Sequence, residues 1–93
     1  MTQVSIGRVV HYTLTEGDVA EIGEQYPIGD PTVRRNPVRA GQKFPADVVA
    51  VFGVASSANT ANLQVKLDGN CAYWATSRIE GTEPGTWAWP LRA

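Results

Sequence analysis

Apolar and polar positions along the chain alternate with a period of two in several short stretches and change to helical spacing once. Val10, Tyr12 and Leu14 fall in period two within the β-branched and aromatic run from Val4 to Leu14, which predicts a strand with one buried face. Thr15-Glu16-Gly17-Asp18 then reads as a helix start. Thr15 can accept from a first-turn amide while Asp18 reaches back, and the acidic side chains favour the positive helix end. Val19, Ile22 and Tyr26 follow at helical spacing, so a short amphipathic helix is expected from about residue 16 to about 25. Gly23 weakens it and Pro27 ends it.

Pro27, Gly29, Pro31, Pro37 and Gly41 punctuate residues 27 to 42, which predicts a long loop. The nearly unbroken apolar run from Ala46 to Val54 predicts a central strand covered on both faces. Residues 56 to 60 form a polar turn, after which Leu63, Val65 and Leu67 alternate with Gln64, Lys66 and Asp68 in the clearest strand pattern of the sequence. Asp68-Gly69-Asn70 supplies residues suited to a tight hairpin, so Cys71 to Arg78 should return antiparallel. On that strand Ala72, Trp74 and Thr76 share one face, and Cys71, Tyr73, Ala75 and Ser77 the other. Glu83-Pro84-Gly85 is a further turn, and residues 86 to 90 make a last short strand stopped by Pro90. The pattern predicts a mainly β, α+β chain: a small antiparallel five-stranded SH3-like barrel, or a curled sheet, with one short N-terminal helix.

Composition limits what such a chain can be. At 93 residues there is room for one core, so residues 1–93 are expected to form a single domain. The apolar fraction of 43% and charged fraction of 18% are those of a folding sequence. No stretch approaches the roughly 20 apolar residues of a membrane span. The first residues lack the basic start and apolar run of a secretion signal, which predicts a protein that stays where it is made. Cys71 stands alone, so no internal disulfide is expected and a buried or half-buried thiol is its plainest role. A net charge of −1 argues against a binder of extended nucleic acid. The charge is uneven: Glu16, Asp18, Glu21, Glu24 and Asp30 precede a basic stretch holding Arg34, Arg35, Arg39 and Lys43.

Catalytic chemistry finds little support. His11 is the only histidine, it lies on a predicted strand, and no partner is close in sequence. No phosphate-cradling glycine loop is present, and one Cys with one His cannot build a closed metal site. No cofactor or catalytic residue is therefore assigned, and the chain is expected to be a binder rather than an enzyme. The candidate ligand set is Tyr73, Trp74, Trp87 and Trp89 with Arg34, Arg35, Arg39 and Arg78, and Lys43 completes the basic group. Trp87 and Trp89, two apart on one strand, should face the same side and offer a stacking platform, while guanidinium groups bind phosphate, so together they suit a nucleotide. The bland alternatives are that a small barrel buries Trp to fill volume and that the loop arginines are solvated charge. Trp74, beside the best-patterned strand, is expected to pack. Trp87 and Trp89 act on a ligand only if the basic loop folds over them.

The strings Asn62-Leu63-Gln64-Val65-Lys66-Leu67-Asp68-Gly69-Asn70, Tyr73-Trp74-Ala75-Thr76-Ser77 and Pro84-Gly85-Thr86-Trp87-Ala88-Trp89-Pro90 resemble those of a family of small bacteriophage proteins. The opening Ile6-Gly7-Arg8-Val9-Val10-His11-Tyr12 and the stretch from Asn36 to Ala46 are similar as well, so the resemblance covers most of the chain. The chain departs from that pattern at Gly23-Glu24-Gln25, where such proteins often carry a basic cluster, and at Cys71, where they carry an acid. The resemblance implies a phage protein in the host cytoplasm and brings no function of its own. With the aromatic and basic set, it leads to the expectation of a non-enzymatic, anti-defence sponge that sequesters a nucleotide-type immune signal. A virion accessory or capsid decoration protein, and an inhibitor binding a host protein, remain the alternatives; the former would place the chain in the virion. Homo-oligomerisation is expected in each, because a sheet of this length leaves edges to be covered or paired.

Overall fold

The computed structural model describes residues 4–52 and 60–90. Five strands and one helix follow in the order β1 (Val9–Thr13), α1 (Glu16–Gln25), β2 (Lys43–Phe52), β3 (Thr60–Lys66), β4 (Ala72–Ile79) and β5 (Trp87–Ala88). The strands form one antiparallel sheet in the spatial order β4-β3-β2-β1-β5. The sheet curls into a half-barrel and begins to close on itself: Glu80, just past β4, bridges Trp87 of β5, and the Gly81 N–H donates to the Trp87 carbonyl at 2.9 Å. The mainly β five-stranded architecture with one short helix is thus the one the residue pattern predicts.

Period-two alternation explains where the core sits. Val10, Ala46, Val65 and Tyr73 are cross-strand partners in one inward row, and Val48, Leu63 and Ala75 form the next. With Tyr12, Leu14, Ile22 and Trp87 they make one buried cluster. β2 is central but is covered on one face only, contrary to the expectation from its apolar run. An antiparallel half-barrel has one concave side, so Ala46 and Val48 are buried while Val49 and Phe52 remain exposed. Positions 53–54 of that predicted strand, and the turn at 56–59, lie outside the described residues.

The helix follows its sequence signals. Thr15 Oγ1 accepts from the Asp18 N–H and Asp18 Oδ2 accepts from the Thr15 N–H, each at 2.9 Å, completing a capping box. Tyr26 closes the other end, and its hydroxyl donates to the Ala72 carbonyl at 2.7 Å, tying the helix to β4.

A departure from strict alternation in β4 decides where side chains point. Ala61 pairs with Arg78 and Leu63 with Ala75, so β4 carries one extra residue there. Ser77 takes the strain at φ 55, its N–H donating to Asn62 Oδ1 at 2.7 Å. The bulge reverses the parity of β4. Ser77, expected on the face of Tyr73 and Ala75, is exposed, and Arg78 turns inward in its place.

The loop after the helix is long but not loose. Asn36 N–H donates to the Asp68 carbonyl, Asn70 N–H to the Arg34 carbonyl and Arg34 N–H to Asn70 Oδ1, all within 3.0 Å, so the loop lies on the β3–β4 hairpin turn. Gly69 permits this approach: a Cβ there would fall on the Arg34 carbonyl oxygen and within 2.5 Å of Arg35.

Candidate functional site

The structure separates the predicted site residues into three groups. The first is internal. Asp18, only 2% exposed, accepts from the Tyr12 hydroxyl at 2.5 Å and the Tyr73 hydroxyl at 2.8 Å, and pairs with the Arg78 guanidinium at 3.1 Å. The same guanidinium lies over the Tyr12 ring at 5.5 Å. Burial pushes the Asp18 carboxyl up, but hydrogen bonds from Tyr12, Thr15 and Tyr73 and the charge of Arg78 outweigh it and hold the group below its ordinary value. Burial, then the hydrogen bond to Asp18 and its negative charge, push the Tyr12 and Tyr73 phenols well above their ordinary range. Tyr73 and Arg78, expected at a ligand, are therefore occupied inside the fold. Trp87 joins them: it is fully buried, and its indole N–H donates to the Arg78 carbonyl at 3.1 Å.

The second group is the basic loop. Arg35 Nε donates to the Tyr26 carbonyl at 3.0 Å, the Arg34 backbone is bonded to Asn70, and the Arg39 N–H is bonded to Gln42 Oε1. The loop docks on the turn that opens β4, whereas Trp87 meets β4 at its far end, Glu80. Neither Arg34, Arg35 nor Arg39 lines the cleft beside Trp89 or lies over a tryptophan ring.

The third group is a cleft. His11, Thr13, Lys43, Gly81, Thr82, Ala88 and Trp89 line a concave site of about 360 Å³, near the low end of the sizes typical of small-molecule pockets. The β1–β2 register assembles it by pairing His11 with Pro45 and Thr13 with Lys43, while β5 brings Ala88 opposite His11. Trp89 and Trp87 touch, but edge to face, at 5.5 Å and 86°. They form no flat double platform, because β5 ends at Ala88 and strand alternation does not extend to Trp89. Instead Trp87 anchors the Trp89 ring from the core, and the Arg8 guanidinium lies over that ring at 4.8 Å. Among the described residues neither Lys43 nor Arg8 has a carboxylate at ion-pair distance, and no carboxylate lines the cleft.

Trp74, expected to pack, is 57% exposed, because it points to the convex face of β4 while Tyr73 and Ala75 take the concave one. The residues that sequence reasoning missed are Arg8, His11, Thr13 and Thr82. The β1–β2 register, pairing segments some thirty residues apart, brings His11 and Thr13 to the cleft, and the Gly81 bond to Trp87 brings Thr82. Lys43, part of the basic set expected to meet the tryptophans, is the member of that stretch that lines the cleft with Trp89. Among the described residues no group of three or more His, Cys, Asp or Glu is placed to hold a metal, and no helix is long and apolar enough to cross a membrane.

Comparison with protein-family models finds none that matches this chain, and neither curated proteins nor solved structures give a significant match. The class that can be stated is therefore architectural: a small five-stranded half-barrel with one helix, bearing a cationic, aromatic cleft.

Proposed function

We propose that the protein is a non-enzymatic binder of a small planar anion, best matched by a nucleotide-type molecule, held in the cleft beside Trp89. The supporting observation is the combination at one concave site of an indole with Lys43 and His11 and no acid among the described lining residues. An indole face takes a nucleobase by stacking, an ammonium takes a phosphate as a point charge, and an imidazole can donate to the same anion. Arg8 and Trp87 pre-position the indole, so little is lost in ordering it when a ligand arrives. The cleft volume suits one ring system with one phosphate-bearing arm better than a larger dinucleotide. In the phage setting suggested by the sequence resemblance, this makes the protein an anti-defence sponge for a nucleotide immune signal. Binding without turnover is sufficient for that role.

The test is calorimetric titration of the purified protein with adenosine and guanosine mononucleotides, ADP-ribose and cyclic dinucleotides. Saturable binding of at least one, weakened by Trp89→Ala, is expected. Silence across the panel up to millimolar ligand overturns the proposal. The second reading, a virion or host-protein contact role, draws on the exposed Trp74 and would be favoured by finding the protein in purified particles.

A further inference from the structure

The outer edge of β4 has a pattern of satisfied and unsatisfied backbone groups that selects a partner. The Leu67 N–H donates to the Cys71 carbonyl, and the β3–β4 register continues through Val65 with Tyr73 and Leu63 with Ala75. In an antiparallel ladder, alternate residues bond inward, so Tyr73 and Ala75 face β3 and the backbone groups of Ala72, Trp74 and Thr76 face away from it. The Tyr26 hydroxyl on the Ala72 carbonyl agrees with that parity. Beyond the bulge, the Arg78 carbonyl accepts from the Trp87 indole. Both ends of the edge are thus capped by side chains. Between them the outward N–H and C=O groups of Trp74 and Thr76 have no partner among the described residues, and both side chains are exposed.

Native edges are normally guarded by lysine, proline, another charge or a bulge; the bulge of β4 falls at Ser77, and the edge before it, residues 72 to 76, reads Ala-Tyr-Trp-Ala-Thr with no charge and no proline. The other outer strand, β5, is two residues long, and its Trp87 carbonyl is already bonded to Gly81. The strand edge that a second copy can offer is therefore β4 itself, ahead of its bulge.

We propose that the protein forms a two-fold dimer by antiparallel pairing of β4 with β4 of a second copy, centred on Ala75. This register places Trp74 of each copy opposite Thr76 of the other, so that every unpartnered N–H and C=O at those positions is satisfied. Centring on Trp74 would instead place Ala72 opposite Thr76, and the Ala72 carbonyl is already taken by Tyr26. Ala75 at the axis lets the two backbones approach, and Trp74 loses its exposed surface against the partner strand. The two half-barrels become one continuous sheet, with the Trp89 clefts outside the junction.

Sedimentation velocity over a concentration series, with hydrogen exchange of the Trp74 and Thr76 amides, tests this. The wild-type chain should shift from monomer to dimer as concentration rises, and both amides should become protected with it. Trp74→Lys places a charge on the edge, and Thr76→Pro removes an outward N–H where proline is compatible with an edge strand. Each should weaken dimerisation about tenfold or more, with the circular dichroism spectrum retained. A wild-type protein that stays monomeric throughout, or a dimer indifferent to both variants, overturns the proposal. So does a dimer lost in Trp74→Lys but kept in a folded Thr76→Pro, since that places the contact on the indole face. Mononucleotide titration of the same variants is expected to match wild type, which separates failure here from failure of the cleft reading.

Discussion

The molecule uses an arginine over an aromatic ring twice, to opposite ends. Arg78 lies over Tyr12 in the interior and Arg8 over Trp89 at the cleft. Beside Arg78 stands Asp18, a buried carboxylate that also accepts from two phenols and a backbone amide, so the charge is answered within the fold. Beside Arg8 and Lys43 no acid lines the cleft among the described residues. The contrast separates structural polarity from functional polarity: a charge paired within the fold, as Arg78 is with Asp18 although its Nε has no partner among the described residues, holds the structure, and one left unpaired is available to an outside anion.

Breaking the closed region should have the largest effect. Asp18→Ala removes the acceptor of the Thr15 N–H, one half of the capping box, leaves Arg78 without its counter-charge and strips the acceptor from the Tyr12 and Tyr73 hydroxyls. A loss of about 3–5 kcal/mol is expected, read as a fall in the urea midpoint. The same cluster sets the pH limits. The folded-state value of Asp18 lies below the unfolded one, near 3.9. Its contribution is therefore complete above that value and is lost as pH falls through the folded-state value. Tyr12 and Tyr73 have folded-state values raised above about 10, so their contribution is complete below that pH and is lost as pH rises toward the folded-state values. Stability measured against pH should fall on both limbs, and Asp18→Asn should flatten the acid one.

Gly69→Ala comes next. The added methyl meets the Arg34 carbonyl and Arg35, backbone that is itself bonded to the hairpin, so the loop must lift. A destabilisation of about 1–3 kcal/mol is expected, with faster hydrogen exchange at Asn36 and Asn70. Mononucleotide affinity should be unchanged, because the loop arginines do not line the cleft. A parallel loss of affinity would return those arginines to the site and dissolve the distinction between the two regions.

How much of this was legible in sequence follows from the range of each interaction. The helix, its Thr15 and Asp18 cap and the Asp68-Gly69-Asn70 turn depend on neighbours in the chain, and residue order displays them. The second role of Asp18 depends on Tyr12, Tyr73 and Arg78 arriving together. Arg78 arrives only because a bulge at Ser77 reverses the strand parity, and no local pattern announces that extra residue. Trp74 and Trp87 exchanged their expected roles for related reasons. The run from Cys71 to Ser77 shows which residues share a face but not which face is concave, and a strand of two residues at β5 cannot carry its alternation to Trp89. The cleft was the least visible part, since the β1–β2 register alone brings His11 and Thr13 to Lys43.

Within the open region the two main contacts should separate by size and by salt dependence. Trp89→Ala removes the stacking wall, and ligand affinity should fall by about 1–3 kcal/mol, the usual range for a base on an aromatic ring. Trp87 stays anchored to Arg78, so the fold should survive.

Lys43→Gln should do less. Lys43 is exposed at the start of β2, where solvent and salt screen its charge, so its attraction for a phosphate is worth about 1 kcal/mol or less at physiological ionic strength. The distinguishing measurement is a salt titration of ligand affinity. Wild type should weaken as salt rises, Lys43→Gln should begin weaker and respond less, and Trp89→Ala should keep the wild-type slope at lower affinity. If Lys43→Gln leaves the slope unchanged, the ligand's charge sits elsewhere, with Arg8 a further cation beside the Trp89 ring. If both variants leave affinity untouched, the cleft is not the site, and its missing carboxylate has no bearing on what the protein binds.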